Sequence, residues 1–177
     1  MPEPSPVECM IEDARWDSTD LERVANGAAS AVLAHLRLAP EGFEIALLAC
    51  DDARSATLNT HFRDKAQPTN VLSWPAVELG ADIAGEAPMR PKPGTPEAPA
   101  HLGDIALAYE TCVREAHEQG KALHDHLAHL IVHAVLHLLG YDHQEDTDAE
   151  LMELIEISIL ATLGVENPYA EGLELPR

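Results

Sequence analysis

The stretch HAVLHLLGYDH, residues 133–143, limits what this chain can become more than any other. His133 and His137 stand four residues apart. Four residues of α-helix turn through about 400°, so the two imidazoles share one face at a spacing of about 6 Å. Gly140 ends such a helix, because glycine takes the left-handed conformation at little cost. The turn lets His143 come back as a third ligand. Three nitrogens and an open fourth position describe a catalytic zinc site rather than a closed structural one. Ala134, Val135, Leu136, Leu138 and Leu139 would shelter the ion. Histidine pairs also arise by chance in a chain with ten histidines, and His129–His133 has the same spacing. The third histidine, just past the glycine, favours the set His133, His137 and His143.

The spacing resembles the metzincin pattern, His-Glu-x-x-His-x-x-Gly-x-x-His. The histidines and the glycine coincide, but Ala134 stands where those proteases carry glutamate. That glutamate is the general base of peptide hydrolysis. Its absence argues against proteolysis by that route and leaves other metal-assisted hydrolysis open.

HAVLHLLGYDH also resembles the signature of the YbeY family, bacterial metal-dependent endoribonucleases of ribosomal RNA maturation. The family usually has glycine at the position of Ala134. LNTHFRDKAQPTNVLSWP, residues 58–75, resembles the family's arginine-containing turn and Thr-Asp/Asn-Val-Leu-Ser strand. LGDIALAYE, residues 102–110, resembles its Leu-Gly-Asp-Ile strand. The three segments follow the family's order, and the resemblance spans roughly residues 43–164. It implies a zincin-like fold in which the histidine helix packs against the sheet. It also implies a single-strand-directed endoribonuclease of ribosomal RNA maturation and ribosome quality control. Its partners would be single-stranded or ribosomal RNA, the small ribosomal subunit and assembly factors, with no DNA.

A length of 177 residues fits one domain. No apolar run is long enough to span a membrane, and the N-terminus lacks a basic region followed by an apolar stretch. Cys9, Cys50 and Cys112 are scattered, with no CxxC, and read as reduced thiols of a cytoplasmic protein. The net charge of −20 runs against extended RNA binding, which normally uses basic surfaces. From Gln144 onward, Arg177 faces nine acidic residues, whereas Arg54, Arg63 and Lys65 gather in residues 51–75. The expectation is an acidic body with a small positive mouth.

In chain order, alternation predicts a strand over 7–16. A helix runs from Asp17 or Ser18 to about Leu38, with Leu21, Val24, Ala28, Ala31, Val32 and Leu36 as its stripe. Phe43–Cys50 reads as a central strand, followed by a short helix to about Phe62, a loop over 63–70 and a strand over 71–74. Five prolines and three glycines mark about 76–100 as a mobile loop. Leu102–Tyr109 is a strand, and helices follow over about 110–119, 123–139 and 147–163. A polar tail begins near residue 165. The sum is an α+β single domain, one mixed four-stranded sheet packed with about five helices.

One zinc ion per chain suits three neutral imidazoles, and another divalent ion remains open on ligand type. Arg63 is the catalytic candidate, because phosphodiester cleavage needs a cation for developing charge and the guanidinium fork fits phosphate. RNA carries its own nucleophile in the 2′-hydroxyl, and either that group or water can attack. Lys65, Thr69, Asn70 and Ser73 can add phosphate or backbone contacts. Trp74 is a core residue or a base-stacking one. His129 is a packed residue or a partner of a ligand. His124 and His126 read as surface residues. Asp142 orients an imidazole or caps the turn. Asp104 faces the site or is a buried structural carboxylate. Two rivals to the nuclease stand: another metallohydrolase with metzincin-like ligands, and a ribosome-assembly binding factor with a structural metal.

Overall fold

The computed structural model describes residues 5–63, 69–142 and 145–169, with side chains as far as Thr60 in the first span. Four strands form one mixed sheet: β1 (Val7–Ile11), β2 (Phe43–Cys50), β3 (Val71–Pro75) and β4 (Ala100–Ala108), in the order β1-β2-β4-β3. β1, β2 and β4 run parallel, and β3 pairs antiparallel with β4 at the edge. Pro75 is tolerated there because it ends an edge strand. The helices are α1 (Leu21–His35), α2 (Asp52–Arg63), α3 (Tyr109–Glu118), α4 (Leu123–Leu138) and α5 (Asp146–Thr162). This is the α+β architecture, with five helices on one mixed four-stranded sheet, that the sequence pattern implied.

The two faces of the sheet differ. Val7, Ile45, Leu47, Ile105 and Leu107 share a face and are almost fully buried, with Leu47 beside Ile105. Alternation puts Glu8, Ala46, Asp104 and Trp74 on the other face, in register across all four strands. Asp104 is therefore neither at the site nor buried: its side chain is 57% exposed and lies 3.4 Å from His101 Nε2. Trp74 is half-buried on this same face.

α4 is apolar around most of its circumference, with Leu127, Ile131, Val132, Val135, Leu136 and Leu138 all buried. A helix of that kind belongs at the centre. It packs against α1, α3, α5, β3 and β4, and each fully buried leucine or isoleucine contributes about 1.5–3 kcal/mol. Gly103 lets α4 and β3 close on β4. At φ +149°, a Cβ there would lie 2.3 Å from the Trp74 carbonyl oxygen and 2.7 Å from Leu138 Cδ2.

Two expectations change, the end of the first strand and the start of the first helix. The first strand stops at Ile11, because Glu12 and Asp13 N–H groups both turn onto the Ala49 carbonyl. A 3-10 turn over Ala14–Ser18 follows, and its Trp16 is buried, donating to the Cys50 carbonyl at 2.9 Å. α1 consequently begins later, at Leu21. Residues 76–99 form neither helix nor strand, yet they are tied to the body. Leu79 is buried, Gly94 N–H donates to Gly42, and Gly85 N–H donates to Asp148 Oδ1. Arg90 donates to the carbonyls of Leu36 and Arg37 at the end of α1, where a cation also suits the helix dipole. Among the described residues, no helix is long and apolar enough to cross a membrane.

Candidate active site

The end of α4 builds the site. Gly140, at φ +100°, closes the helix with paired bonds: Gly140 N–H to the His137 carbonyl, and Tyr141 N–H to the Leu136 carbonyl. This is the Schellman arrangement, which a left-handed residue makes possible. A side chain at Gly140 is barred twice, since a Cβ would also lie 2.7 Å from the Leu79 carbonyl carbon. The turn carries the Tyr141 carbonyl back over the helix, where it accepts from His137 Nδ1 at 2.9 Å. A carbonyl has no proton to give, so His137 carries its proton on Nδ1 and its lone pair on Nε2.

His133 is set the same way from the other side. Its Nδ1 lies 2.5 Å from Glu156 Oε1 of α5. Glu156 is fully buried. Burial alone would raise its pKa, but hydrogen bonds from His129, His133 and Tyr169 outweigh that and bring it down to about 2. The carboxylate is therefore ionised and can only accept, which leaves the His133 lone pair on Nε2. Its second oxygen, Oε2, accepts from His129 Nε2 at 3.3 Å and from the Tyr169 hydroxyl.

The two Nε2 atoms stand 3.1 Å apart. With both Nδ1 atoms turned to acceptors, the two Nε2 atoms are directed at one point, where a single cation can be held between the neutral rings. Two ligands about 2.0–2.1 Å from one tetrahedral ion stand about 3.3 Å apart, so the pair fits the bite of a zinc-sized ion. His143 and Lys65 lie outside the described residues, as does the Arg63 side chain. Among the described residues, no group of three metal-binding side chains converges. Arg63 ends α2, and Asn59, one turn earlier, is buried against the same cavity.

That cavity, about 870 Å³, has His129, His133 and His137 on one wall and Thr69, Asn70 and Ser73 on another. Its rim carries Glu78, Glu86, Asp142 and Asp148, with no lysine or arginine among the described lining residues. Ala134 lines it too, so no carboxylate occupies the place of the metzincin glutamate. Trp74 does not line it. Asn70 Nδ2 donates to Glu115 Oε1 at 2.9 Å, and the same oxygen lies 3.0 Å from His126 Nε2. His126 is thus a buried residue, against the surface placement expected from sequence, while His124 is exposed.

Glu156 and Tyr169 are the residues that sequence reading missed. Glu156 falls between Met152 and Ile159 on the apolar stripe of α5, and an acid on a buried stripe was the available signal. Tyr169 gave none.

The family model described as Endoribonuclease YbeY matches residues 7–164. A Dinoroseobacter shibae protein named Endoribonuclease YbeY is 58% identical over 163 residues, covering 92% of this chain and 90% of that protein. Its namesake in Cereibacter sphaeroides is 56% identical over 163 residues, 92% and 98% of the two chains. The namesake in Bartonella bacilliformis is 44% identical over 168 residues, 94% and 98%. The solution structure of TM1509 from Thermotoga maritima matches with a TM-score of 0.55 at 20% identity, over 96% of this chain and 93% of that one; at such identity the likeness is one of fold. The matched span takes in the whole sheet, α4 with its paired imidazoles and the helix that carries Glu156, and on that extent of agreement the chain belongs to the YbeY family of endoribonucleases.

Proposed function

We propose that this chain is a metal-dependent endoribonuclease that cuts single-stranded RNA in ribosomal RNA maturation and ribosome quality control. In this reading residues 1–177 form one hydrolase domain in the cytoplasm, meeting the small ribosomal subunit and its assembly factors. His133, His137 and His143 hold one zinc ion, or another divalent ion of similar size. The observation that carries the reading is the 3.1 Å separation of two Nε2 atoms whose Nδ1 protons are both committed. When bound, the ion supplies a Lewis acid that polarises a phosphoryl oxygen and acidifies water.

The chain's own residues do the rest. Arg63, at the end of α2, stabilises charge developing on the phosphate. Asn70, anchored by Glu115, presents its part of the β3 wall at a fixed position. The acidic rim repels an extended RNA backbone, so a short unpaired segment enters, with Arg63 as its counter-charge. Single-turnover cleavage of a short single-stranded RNA tests this. Cleavage should stop with a chelator and return with zinc. Arg63→Ala should keep fold and metal and lose about 10²–10³ in rate, and Arg63→Lys should recover part of it.

The rim also favours a second reading, a ribosome-assembly binding factor whose metal is structural. Metal-loaded wild type that leaves RNA uncut, but loses melting temperature on chelation, would select it. Turnover of a casein-type substrate would select the third, a different metallohydrolase.

A further inference from the structure

We propose that Glu156 and Tyr169 form a positioning relay for His133, with Tyr169 steering Glu156 and Glu156 fixing which nitrogen of His133 faces the cavity. This rests on the metal reading of the histidine pair and extends it to residues outside that pair.

The geometry is specific. Glu156 is an acid with no exposed surface, placed by α5 under two successive turns of α4. One oxygen takes His133 Nδ1 at 2.5 Å, and the other takes His129 Nε2 at 3.3 Å. A buried carboxylate is costly unless its lone pairs are filled, and two imidazoles leave a vacancy on Oε2. Tyr169 fills it. The chain leaves α5 at Thr162, turns at Gly164 (φ +76°) and folds back so that the Tyr169 hydroxyl donates to Oε2. Its ring meets His129 edge-on, with centroids 5.6 Å apart, and its side chain lines the cavity. Tyr169 lies beyond residues 7–164, the span of the family model. A segment following the shared body thus reaches the ligand cluster through a single buried acid. A carboxylate behind a ligating imidazole fixes its orientation and raises its basicity, and losing such a partner costs about 10–100-fold in metal affinity.

The test measures zinc affinity by competition with a chromophoric chelator, on full-length wild type, Glu156→Gln and Tyr169→Phe, at a temperature where circular dichroism shows all three folded. Glutamine keeps the shape, but its NH₂ has to face donors. Affinity should fall about 10–100-fold in Glu156→Gln and about threefold or more in Tyr169→Phe. The Nδ1 proton resonance of His133 in zinc-loaded protein should move upfield in both. If Glu156→Gln does not fold, Tyr169→Phe carries the test by itself. Affinity and resonance equal to wild type in the folded variants, with only the melting temperature lowered, would make the pair a packing feature and overturn the relay. Wild type that binds no zinc would instead defeat the metal reading itself, a separate result.

Discussion

His126 and His133 lie two turns apart on α4, and each hydrogen-bonds a glutamate from a neighbouring helix, Glu115 of α3 and Glu156 of α5. The chemistry is the same and the placement is inverted. In the first pair the imidazole is buried, with 3% of its side chain exposed, and the acid is partly open at 27%. In the second the acid has 0% exposed and the imidazole is open at 24%. Burying the histidine pushes its pKa down despite its hydrogen bond to Glu115, and its Nδ1 is buried with no hydrogen-bond partner among the described residues. That histidine stays neutral and joins helices. Burying the acid places a carboxylate behind His133, whose other ring nitrogen, Nε2, faces the cavity and His137. The difference teaches that a histidine–glutamate pair does surface chemistry only when the glutamate is the member that folding removes from water.

The comparison predicts opposite responses, and the largest belongs to the outward pair. His137→Ala or His133→Ala should take zinc from about one per chain to background, measured by metal analysis of protein purified without added metal, and RNA cleavage should vanish with it. Stoichiometric zinc in either variant would break the contrast. Next, His126→Ala should cost about 2–3 kcal/mol in denaturant unfolding, through lost packing and the loss of one of the two donors to the Glu115 Oε1. Its zinc affinity should match wild type, because nothing at the cavity mouth has moved. A loss of zinc there would mean that the two pairs are coupled.

A pH series sharpens the same point. The folded-state pKa of His126 lies below its unfolded value near 6.5. Between those values the unfolded chain binds the extra proton, so stability rises with pH there. Its contribution is complete above about pH 6.5 and drains away as pH falls through the folded pKa. Unfolding free energies at pH 7 and pH 5.5 should therefore differ more in wild type than in His126→Gln. Equal differences would show that the buried histidine does not titrate in this window. The smallest effect is expected of Glu115→Gln, about 1 kcal/mol, with the Asn70 contact kept through the amide oxygen and cleavage close to wild type.

These residues also show where the sequence was readable. The His133–His137 spacing, the Gly140 stop and the apolar run of β2 are local features, and they read directly. So did the sheet and helix content, and Asn59 shows that the α2 end adjoins the cavity. His126 was misplaced because α4 is apolar nearly all round, so its period reserves no obvious polar face and a histidine on it looks like surface. Glu156 and Tyr169 depend on how α5 packs beside α4 and how the chain returns after Gly164. Their partners lie 13 to 27 residues away in sequence, beyond any local period. Asp104 shows the converse: a strand can border the site while the side chain in question points to the far face.

The Schellman turn at Gly140 has a consequence for anyone who would transplant this site. Two histidines four residues apart can be grafted onto any exposed helix, but such a graft leaves each ring free to flip and to choose its proton. Here the reverse turn supplies the Tyr141 carbonyl that locks His137, and a second helix supplies the acid that locks His133. The portable module is accordingly residues 133–141 with their helix ending intact, set beside one buried acid. A designer who copied the two histidines and extended the helix past residue 140 would reproduce the spelling of the site and lose its orientation.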